Sequence, residues 1–387
     1  MVTRVGIVNV RDYDNIPNAI VAAIKLIEGS FSFNLLECKN ILLKPNLLRA
    51  SKDACTQPIF VEGVIKYLKE SGILMENVSI GDSPGQIKMS ATQIAKRIGL
   101  YEICEELGIK FVNFENYIPS HENIENSIRL KDYYISKPVK DCDLLINLPK
   151  LKTHGEATIT GAIKNYWGVI PGGLKAKYHL VGKTPNKFGE AIADNYSWIV
   201  NNKPNRLTIY DLIRVMEGPM GPVSGPMKKW DLILAGTDEL ALDIVALKIG
   251  KFNGRKLVPH LKSASERELG TYHLEEIEIM GLSLEEARKI TPKFKVPGKH
   301  LTKLASFITR NIVYKVTKKI PHLKNKLCVQ CGQCSEVCPA EAINFTKGQF
   351  PVFLKRECIS CLCCMEMCPQ EAIKPKLRGI GGLFHSY

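Results

Sequence analysis

The first 285 residues alternate short apolar runs with amphipathic stretches. Runs rich in Val, Ile and Leu predict strands at Val5–Val10, Ile41–Leu43, Val78–Ile80, Lys110–Phe114, Leu144–Leu148, Leu207–Tyr210, Leu232–Ala235 and Glu276–Met280. Amphipathic stretches predict helices at Pro17–Glu28, Pro58–Glu70, Thr92–Glu106, Ala157–Tyr166, Phe188–Val200, Glu239–Ile249 and Leu261–Leu269. A hairpin is expected within Asn123–Lys137. This alternation is typical of an α/β domain, at residues 1–285, with a mostly parallel sheet and flanking helices.

Polar residues gather where the predicted strands end. Lys44 and Asn46 follow the second strand, Asp82 and Ser83 follow the third, and Asp238 follows the seventh. The carboxyl ends of parallel strands share one sheet edge, and ligands bind in the crevice there. With polar residues between 150 and 175, they form one set of candidate ligand-binding residues: Lys44, Asn46, Ser83, Lys150, Lys152, Asn165, Lys175 and Asp238.

The chemistry of these side chains suggests roles for them. The lysines would bind an anionic group, His154 would donate a proton, and Asp82 and Asp238 would orient groups or hold a metal. The candidate catalytic residues are therefore Asp82, His154 and Lys164. Each element also has a structural interpretation, as a turn with a helix cap, as solvated surface lysines, or as a helix N-cap at Asp238. The glycine-rich segment Val169–His179, which carries Lys175, is either a mobile lid or a surface loop.

Residues 286–324 form a basic linker between two parts of the chain. The formal net charge is +14, and the stretch from Ala287 to Lys326 has many Lys and Arg but no Asp or Glu. Apolar residues at three- and four-residue spacing from Leu301 to Ile320 predict an amphipathic helix. That helix would pack the C-terminal part onto the large domain, lie on an anionic membrane surface, or dock an acidic partner. Nucleic acid is not an expected partner, because the run contains no nucleic-acid-binding motif.

The overall composition is that of an ordinary globular protein. Hydrophobic residues make up 45% of the 387 residues and charged residues 24%. Apolar runs stay below the roughly 18 residues that a membrane-spanning helix needs, and the first residues lack a signal-peptide pattern. We therefore expect a cytoplasmic protein.

The C-terminal part contains one cysteine pattern twice. The four-cysteine motif from Cys328 to Cys338, with spacing C-x2-C-x2-C-x3-C-P, recurs thirty positions later from Cys358 to Cys368. That spacing is typical of two 4Fe-4S clusters, in which the cysteine before the proline ligates the other cluster. The expected ligands of the first cluster are Cys328, Cys331, Cys334 and Cys368. Those of the second cluster are Cys338, Cys358, Cys361 and Cys364. The motif predicts a small α+β dicluster ferredoxin domain at 325–378, followed by a tail at 379–387.

Two other uses of these cysteines fit less well. Structural zinc prefers two Cys-x2-Cys pairs with a longer spacer, and disulfides are not expected in a chain that lacks a secretory segment. Cys363 is an extra thiol in the second motif; a register shift could substitute it for Cys364, although the repeat favours Cys364. Exposed cluster ligands survive best in a reducing interior with little oxygen, so an anaerobic host is expected.

Several motifs of the large domain resemble one protein family. The stretches Leu148–His154, Thr160–Gly168, Gly81–Gly85 and Glu217–Pro219 are similar to the domain of unknown function 362, whose members often end in a ferredoxin tail. Many members have Asp-Gly-Ile where this chain has Asp211-Leu212-Ile213, a mild departure. The resemblance supports the two-part architecture but implies no reaction. A distant similarity to the lactate-racemase-type fold adds little.

Three functions are compatible with these features. The preferred one is a ferredoxin-coupled oxidoreductase, in which two 4Fe-4S clusters relay low-potential electrons to an anionic substrate or cofactor in the α/β domain. The alternative is a non-catalytic electron carrier, or a maturation factor, that docks a partner protein. A third has structural clusters and hydrolytic or racemase-like chemistry. The expected partner is a redox protein such as an acidic ferredoxin or a reductase.

Overall fold

The computed structural model describes residues 2–85, 89–182, 184–252, 257–296 and 319–377. Among the described helices, none combines the length and the apolar character needed to cross a membrane. The predicted linker helix falls almost wholly outside the described residues. Its last predicted apolar position, Ile320, belongs to a strand.

A central sheet of ten strands organises the large domain. Eight strands run side by side in the order β12-β1-β11-β10-β7-β2-β3-β4, and β8 joins β10 to β9. Their bounds are β1 Thr3–Asn9, β2 Ile41–Lys44, β3 Val78–Asp82, β4 Lys110–Asn113, β7 Leu144–Asn147, β8 Lys150–His154, β9 Thr158–Thr160, β10 Arg206–Met216, β11 Met227–Gly236 and β12 Ile277–Gly281. A separate hairpin pairs β5 Ser120–Glu122 with β6 Tyr133–Ile135.

Helices cover both faces of this sheet. They are α1 Ile16–Lys25, α2 Pro58–Glu70, α3 Ala91–Ile98, α4 Leu100–Glu106, α5 Lys137–Asp141, α6 Ala162–Asn165, α7 Leu174–Val181, α8 Pro185–Asn202, α9 Glu239–Ile249, α10 Pro259–Glu266 and α11 Leu284–Ile290. Side chains alternate between the faces along each strand, so Leu42 packs into one apolar core while Ile41 and Leu43 pack into the other. Both cores are closed by helices, as the predicted α/β class requires.

The predicted strands are all present, but two of the predicted helices differ. The stretch Thr92–Glu106 is divided into α3 and α4 at Gly99, which has φ +86° and ends α3 in a left-handed cap. The stretch Ala157–Tyr166 was predicted as one helix, and this is wrong: β9 occupies Thr158–Thr160, and only the single turn of α6 follows.

The sheet is mostly parallel, and its antiparallel strands are β9, which pairs with β8, and β11. Strand β11 pairs antiparallel with both β1 and β10, whereas the neighbouring pairs from β10 to β4 are parallel. The carboxyl end of β11 therefore lies at the opposite edge from the ends of β2 and β3. The expectation that Asp238 joins the polar cluster is wrong for this reason.

The C-terminal unit is small and holds the cysteine repeat. Strand β13 Lys319–Leu323 pairs antiparallel with β16 Ile373–Leu377, and β14 Ile343–Asn344 pairs with β15 Val352–Phe353. One short helix follows each cysteine loop, α12 Gln333–Glu336 and α13 Cys363–Met367. Because β13 starts at 319, the unit begins inside the segment that was predicted as linker.

Candidate ligand pocket and cysteine sites

A pocket of about 860 Å³ lies where the C-terminal unit meets the sheet edge. The sheet contributes residues at the ends of β2, β3 and β8, such as Asn46, Ser83 and Lys152. The C-terminal unit contributes Cys363 and Glu366 from α13. We call this the lysine pocket, because four lysines line it: Lys44, Lys152, Lys164 and Lys175.

The first of these lysines is neutralised by an aspartate. The Lys44 ammonium lies 2.9 Å from Asp82 Oδ1, and both side chains are buried. Burial lowers the pKa of Lys44, and the charge of Asp82 opposes this. Asp82 also accepts hydrogen bonds from the backbone N–H groups of Leu47, at 2.8 Å, and Ser83, at 2.9 Å. These contacts fit the orienting role predicted for Asp82.

A glycine lets the chain pass directly over this ion pair. A Cβ at position 168 would overlap both Asp82 Oδ1 and Lys44 Nζ. Only glycine therefore fits at Gly168 without displacing the pair.

Lys152 is buried with neutral partners only. Its ammonium donates to Asn46 Oδ1 at 2.7 Å and to the Ala54 carbonyl at 2.6 Å. Within the described residues it forms no ion pair with a carboxylate. Burial lowers the pKa of Lys152 to about 7.

Lys175 belongs to the glycine-rich segment and lines the pocket from that side. Its ammonium donates to Ser83 Oγ at 2.7 Å, to the Ser83 carbonyl and to the Pro84 carbonyl at 3.1 Å. Burial lowers the pKa of Lys175 to about 8, although the charges of Asp82 and Glu115 act in the opposite sense. The segment is thus tied to the loop after β3.

Lys164 and Asn165 reach the pocket from α6. Burial lowers the pKa of Lys164, and the charges of Glu366 and Glu156 oppose this. Asn165 accepts from Asn46 Nδ2 at 2.8 Å and donates to Asn147 Oδ1 at 2.7 Å. These bonds join the ends of β2 and β7 across the pocket floor.

A buried aspartate holds α6 in place. Asp243 accepts hydrogen bonds from the backbone N–H groups of Ala162, at 2.8 Å, and Ile163, at 3.1 Å. Gly161 leaves room for this carboxylate, because a Cβ there would overlap Asp243 Oδ1. Burial raises the pKa of Asp243 to about 7.

His154 has a tautomer fixed by the backbone. Its Nδ1 accepts from the N–H groups of Glu156 and Ala157, both at 3.1 Å, so the ring proton lies on Nε2. Nε2 faces Glu366 Oε1 at 3.3 Å. Burial and the nearby charge of Lys164 hold the pKa of His154 well below its usual value. The ring is therefore a neutral hydrogen-bond donor, which disfavours its predicted role as proton donor.

A second histidine in the pocket carries a proton more readily. Burial lowers the pKa of His179, but the hydrogen bond to Glu156 at 3.1 Å outweighs it, and the pKa is raised. The ring stacks on Phe188, with centroids 4.3 Å apart. His179 was not among the predicted site residues, although it belongs to the glycine-rich segment noted in the sequence.

Two predicted ligand residues lie outside the pocket. Lys150 pairs with Asp211 at 2.7 Å, and both side chains are buried. Asp238 caps α9, accepting from Ala241 N–H at 3.0 Å and Thr271 N–H at 2.7 Å. The remaining predicted residues line the pocket together: Lys44, Asn46, Asp82, Ser83, Lys152, His154, Lys164, Asn165 and Lys175.

The eight motif cysteines divide into two groups around two cavities. A cavity of about 350 Å³ is lined by the outer cysteine site: Cys328, Cys331, Cys334 and Cys368. A cavity of about 320 Å³ is lined by the inner cysteine site: Cys338, Cys358, Cys361 and Cys364. Each site thus takes its fourth sulfur from the other motif.

Both sites fit a cubane iron–sulfur cluster. Each provides four sulfur ligands around one void, which is the donor set of such a cluster. Backbone N–H groups of Ala342 and Ala372 donate to the Sγ atoms of Cys338 and Cys368, both at 3.2 Å. Such bonds stabilise thiolate charge. Across the described ranges, no three His, Cys, Asp or Glu side chains converge closely enough to hold a single metal ion.

The extra cysteine of the second motif, Cys363, lies at the lysine pocket. Cys363 lines the lysine pocket and is not part of the inner cavity lining, so the repeat places Cys364 in the ligand register. Cys363 and Glu366 were not among the predicted pocket residues, because their position depends on how α13 docks against β8. Sequence spacing carries no signal for that docking.

Polar contacts fix the C-terminal unit against the large domain. Glu371 accepts from Arg49 at 3.2 Å and from Ser224 Oγ at 2.9 Å. With the contact between His154 and Glu366, they hold α13 beside the pocket.

Comparisons with known proteins agree with this two-part architecture. Residues 41–248 match the model of the domain of unknown function (DUF362), and residues 327–373 match a 4Fe-4S dicluster domain. A thylakoid-associated protein of Synechocystis sp. (strain ATCC 27184 / PCC 6803 / Kazusa) is 35% identical over 215 residues. That alignment covers 54% of this chain and 62% of the relative, so less than two thirds of the relative is matched.

Two solved structures show weak similarity. A structural genomics protein from Thermotoga maritima has a TM-score of 0.39 and 13% identity, covering 65% of this chain and 58% of its own. The lactate racemase apoprotein from Thermoanaerobacterium thermosaccharolyticum has a TM-score of 0.41 and 15% identity, covering 62% of this chain and 55% of its own.

Proposed function

The chain belongs to the family of the domain of unknown function 362 and carries a 4Fe-4S dicluster domain, and from this premise we propose that it is an iron–sulfur oxidoreductase that reduces an anionic small molecule. The observation that carries the proposal is the position of the lysine pocket. Its wall includes Cys363, which lies between the inner-site cysteines Cys361 and Cys364. A pocket for anions thus adjoins a loop of cluster ligands.

The proposed cofactors are two 4Fe-4S clusters. The outer cysteine site would hold one and the inner cysteine site the other, with Cys368 and Cys338 as the crossed ligands. When bound, such clusters supply single electrons at potentials set by charge, hydrogen bonds and solvent exposure. An external low-potential electron donor completes the reaction.

The lysines of the pocket bind and orient the substrate. Lys152 is buried and Lys164 and Lys175 are half-buried, so charge–charge attraction at their ammonium groups is stronger than in open water. The pair between Lys44 and Asp82 fixes the pocket floor. These residues give the pocket its selectivity for anions.

Proton supply follows from the two histidines. His179 holds a proton more readily than His154, because Glu156 raises the pKa of His179 against the effect of burial. His154 instead holds Glu366 through its Nε2–H. We therefore assign proton donation to His179 and a positioning role to His154.

The expected partner is a redox protein that delivers electrons, such as an acidic ferredoxin or a reductase. Cys331 of the outer site is exposed, whereas Cys361 and Cys364 of the inner site are buried. A donor would therefore approach the outer site, and the basic residues of 286–324 would attract an acidic surface. Peripheral membrane contact of that segment, a cytoplasmic location and an anaerobic host remain predictions.

Anaerobic reductive titration tests the proposal. Reconstituted protein should contain about eight irons per chain and show a broad visible absorbance that dithionite bleaches. After the excess dithionite is removed, a panel of anionic metabolites is added, and at least one should restore the absorbance. Lys164→Met should abolish this restoration, whereas Lys25→Met, on the half-exposed surface of α1, should not.

Two outcomes would favour other functions. If no anion restores the absorbance while an oxidised acceptor protein does, the chain is an electron carrier. If zinc or no metal replaces iron, the redox function is excluded.

A further inference from the structure

We infer that the lysine pocket is built for a ligand with two separate anionic groups, of the kind found in a short dicarboxylate. This inference rests on the proposed function, because it concerns the same pocket and narrows the class of substrate. It follows from the balance of charges around the pocket and from the positions of two lysines.

Two cations of the pocket are paired with a carboxylate. Lys44 is paired with Asp82 at 2.9 Å, and His179 with Glu156 at 3.1 Å. Lys164 has Glu366 as the largest opposing charge in its surroundings, but the two form no ion pair within the described residues.

Lys152 and Lys175 likewise form no ion pair with a carboxylate within the described ranges, and both are held by neutral acceptors. Among the described residues, the acceptors of Lys152 are an amide oxygen and a carbonyl, on Asn46 and Ala54. Those of Lys175 are a hydroxyl and carbonyls, on Ser83 and Pro84. Since burying an ammonium group without a counter-charge is costly, each position favours an anionic ligand group.

The charged groups around Lys152 and Lys175 support the same view. Lys152 is surrounded by Lys150, Lys164, Glu366 and the thiol of Cys55. The groups around Lys175 also carry both signs of charge: they are Asp82, Glu115, Lys44 and Lys164. Of these carboxylates, Asp82 is paired with Lys44, Glu366 accepts from the neutral ring of His154, and Glu115 is exposed to solvent.

The two lysines are anchored at different strand ends. Lys152 is held by Asn46, which follows β2, and Lys175 by Ser83, which follows β3. The two ammonium groups are thus held at different places along the pocket, where two separate anionic groups of one ligand can each meet one of them. The charge of Lys164 lowers the pKa of both Lys152 and Lys175, which indicates that its ammonium group lies near theirs.

Calorimetric titration of the full-length, cluster-loaded, oxidised protein tests the inference. The probes are malonate, succinate and glutarate, compared with butyrate, which has one carboxylate, and with inorganic phosphate, which carries its charge on one group. We expect at least one dicarboxylate to bind at least about tenfold more tightly than butyrate and phosphate, since a second charged contact adds that much affinity.

Variants identify the two contacts. Lys152→Met and Lys175→Met should each reduce the affinity for the dicarboxylate by about tenfold or more while leaving the affinity for butyrate within about threefold in at least one of them. Lys25→Met is the matched surface control. Iron content and circular dichroism establish that each variant is folded and loaded, and the ligand series on the unmodified protein needs no variant.

The outcomes separate this inference from the proposed function. Equal affinity for butyrate and the dicarboxylates, tighter binding of phosphate than of every dicarboxylate, or no binding would overturn the inference. If a monoanion restores the absorbance of the reduced protein, the inference fails and the oxidoreductase function stands. If dicarboxylates that can accept electrons, such as unsaturated ones, bind through both lysines but never restore the absorbance, the inference stands and that function fails.

Discussion

The outer and inner cysteine sites have the same spacing of ligands but very different surroundings. At the outer site Cys331 is exposed, and Val329 beside it is 59% exposed. Each site has two buried cysteines, but at the inner site none of the four is exposed, and the adjoining Cys363 and Glu366 form a wall of the lysine pocket. Two copies of one motif have thus been placed in two environments by the docking of α13.

The comparison indicates how two copies of one cysteine motif come to face different surroundings. The motif determines which sulfur atoms surround each cavity, whereas the large domain determines what each site faces. Solvent reaches the outer site at Cys331, and on the proposed function a partner protein would approach that site while a bound anion would lie beside the inner one. Solvent exposure and neighbouring charge also tune cluster potentials, so the two clusters should differ in potential despite their identical ligands.

Single cysteine variants should have the largest effect and would break the comparison most directly. Cys334→Ser should remove the outer cluster and Cys338→Ser the inner one, each with a loss of about four of about eight irons. Electron paramagnetic resonance of the reduced variants, with and without a pocket anion, distinguishes the sites. The cluster retained in Cys334→Ser should respond to the anion, and the cluster retained in Cys338→Ser should not. A response in Cys338→Ser would contradict the crossed assignment.

Anion affinity should depend on pH through the buried lysines. Burial lowers the pKa of Lys152 to about 7 and that of Lys175 to about 8 in the free protein, and a bound anion favours the charged ammonium forms. Binding therefore takes up protons. Affinity should rise as pH falls from about 9 to about 7, by up to about tenfold per pH unit for each proton taken up, and should level off below. Calorimetry at several pH values measures this rise. Lys152→Met should remove the part of the rise that occurs at the lower pH values, because Lys152 has the lower pKa. Affinity that increases with pH would show that the lysines do not bind the anion.

A glycine substitution should separate the pocket from the cysteine sites. In Gly168→Ala the new methyl group would enter the space of the Lys44–Asp82 pair, so we expect a loss of about 1–3 kcal/mol in unfolding free energy. Denaturant unfolding measures this loss, and iron content should be unchanged. Gly173→Ala is the matched control, because a Cβ there meets no atom within 4 Å. Equal stabilities of the two variants would show that the pocket floor tolerates a side chain.

The weakest expected effect concerns the contact that holds the C-terminal unit. Arg49→Gln removes the partly exposed ion pair with Glu371, and exposed pairs contribute up to about 1 kcal/mol. Urea unfolding should show a loss within that limit and slightly faster proteolysis between the two units. Arg4→Gln, which breaks the more exposed pair with Glu278, should leave proteolysis unchanged. If Arg49→Gln left proteolysis unchanged as well, the contact would not hold the unit in place.

Local patterns in the sequence predicted the elements of the fold better than their arrangement. Apolar alternation located each predicted strand, because strand formation follows burial and period-two spacing. The same alternation is compatible with either strand direction, so the antiparallel pairing of β11, and with it the place of Asp238, could not be predicted. The stretch Ala157–Tyr166 contains both a strand and a helical turn, and a strand of three residues is too short to show a period.

The candidate site was predictable where residues follow strand ends, as Lys44, Asp82 and Lys152 do. The pocket wall from α13 was not, because Glu366 reaches the pocket only when two units dock. The protonation of His154 depends on burial and on neighbouring cations, which only the folded structure provides.

Anaerobic stopped-flow mixing of the dithionite-reduced protein with the tightest-binding pocket anion that can itself accept electrons, such as an unsaturated dicarboxylate, tests the central claim most directly. We predict that the bleached visible absorbance recovers, that the rate saturates at the concentration at which the anion fills the pocket, and that Lys152→Met with Lys175→Met abolishes the recovery. An absorbance that stays bleached while the anion is bound, or a recovery that does not depend on the two lysines, would contradict the claim.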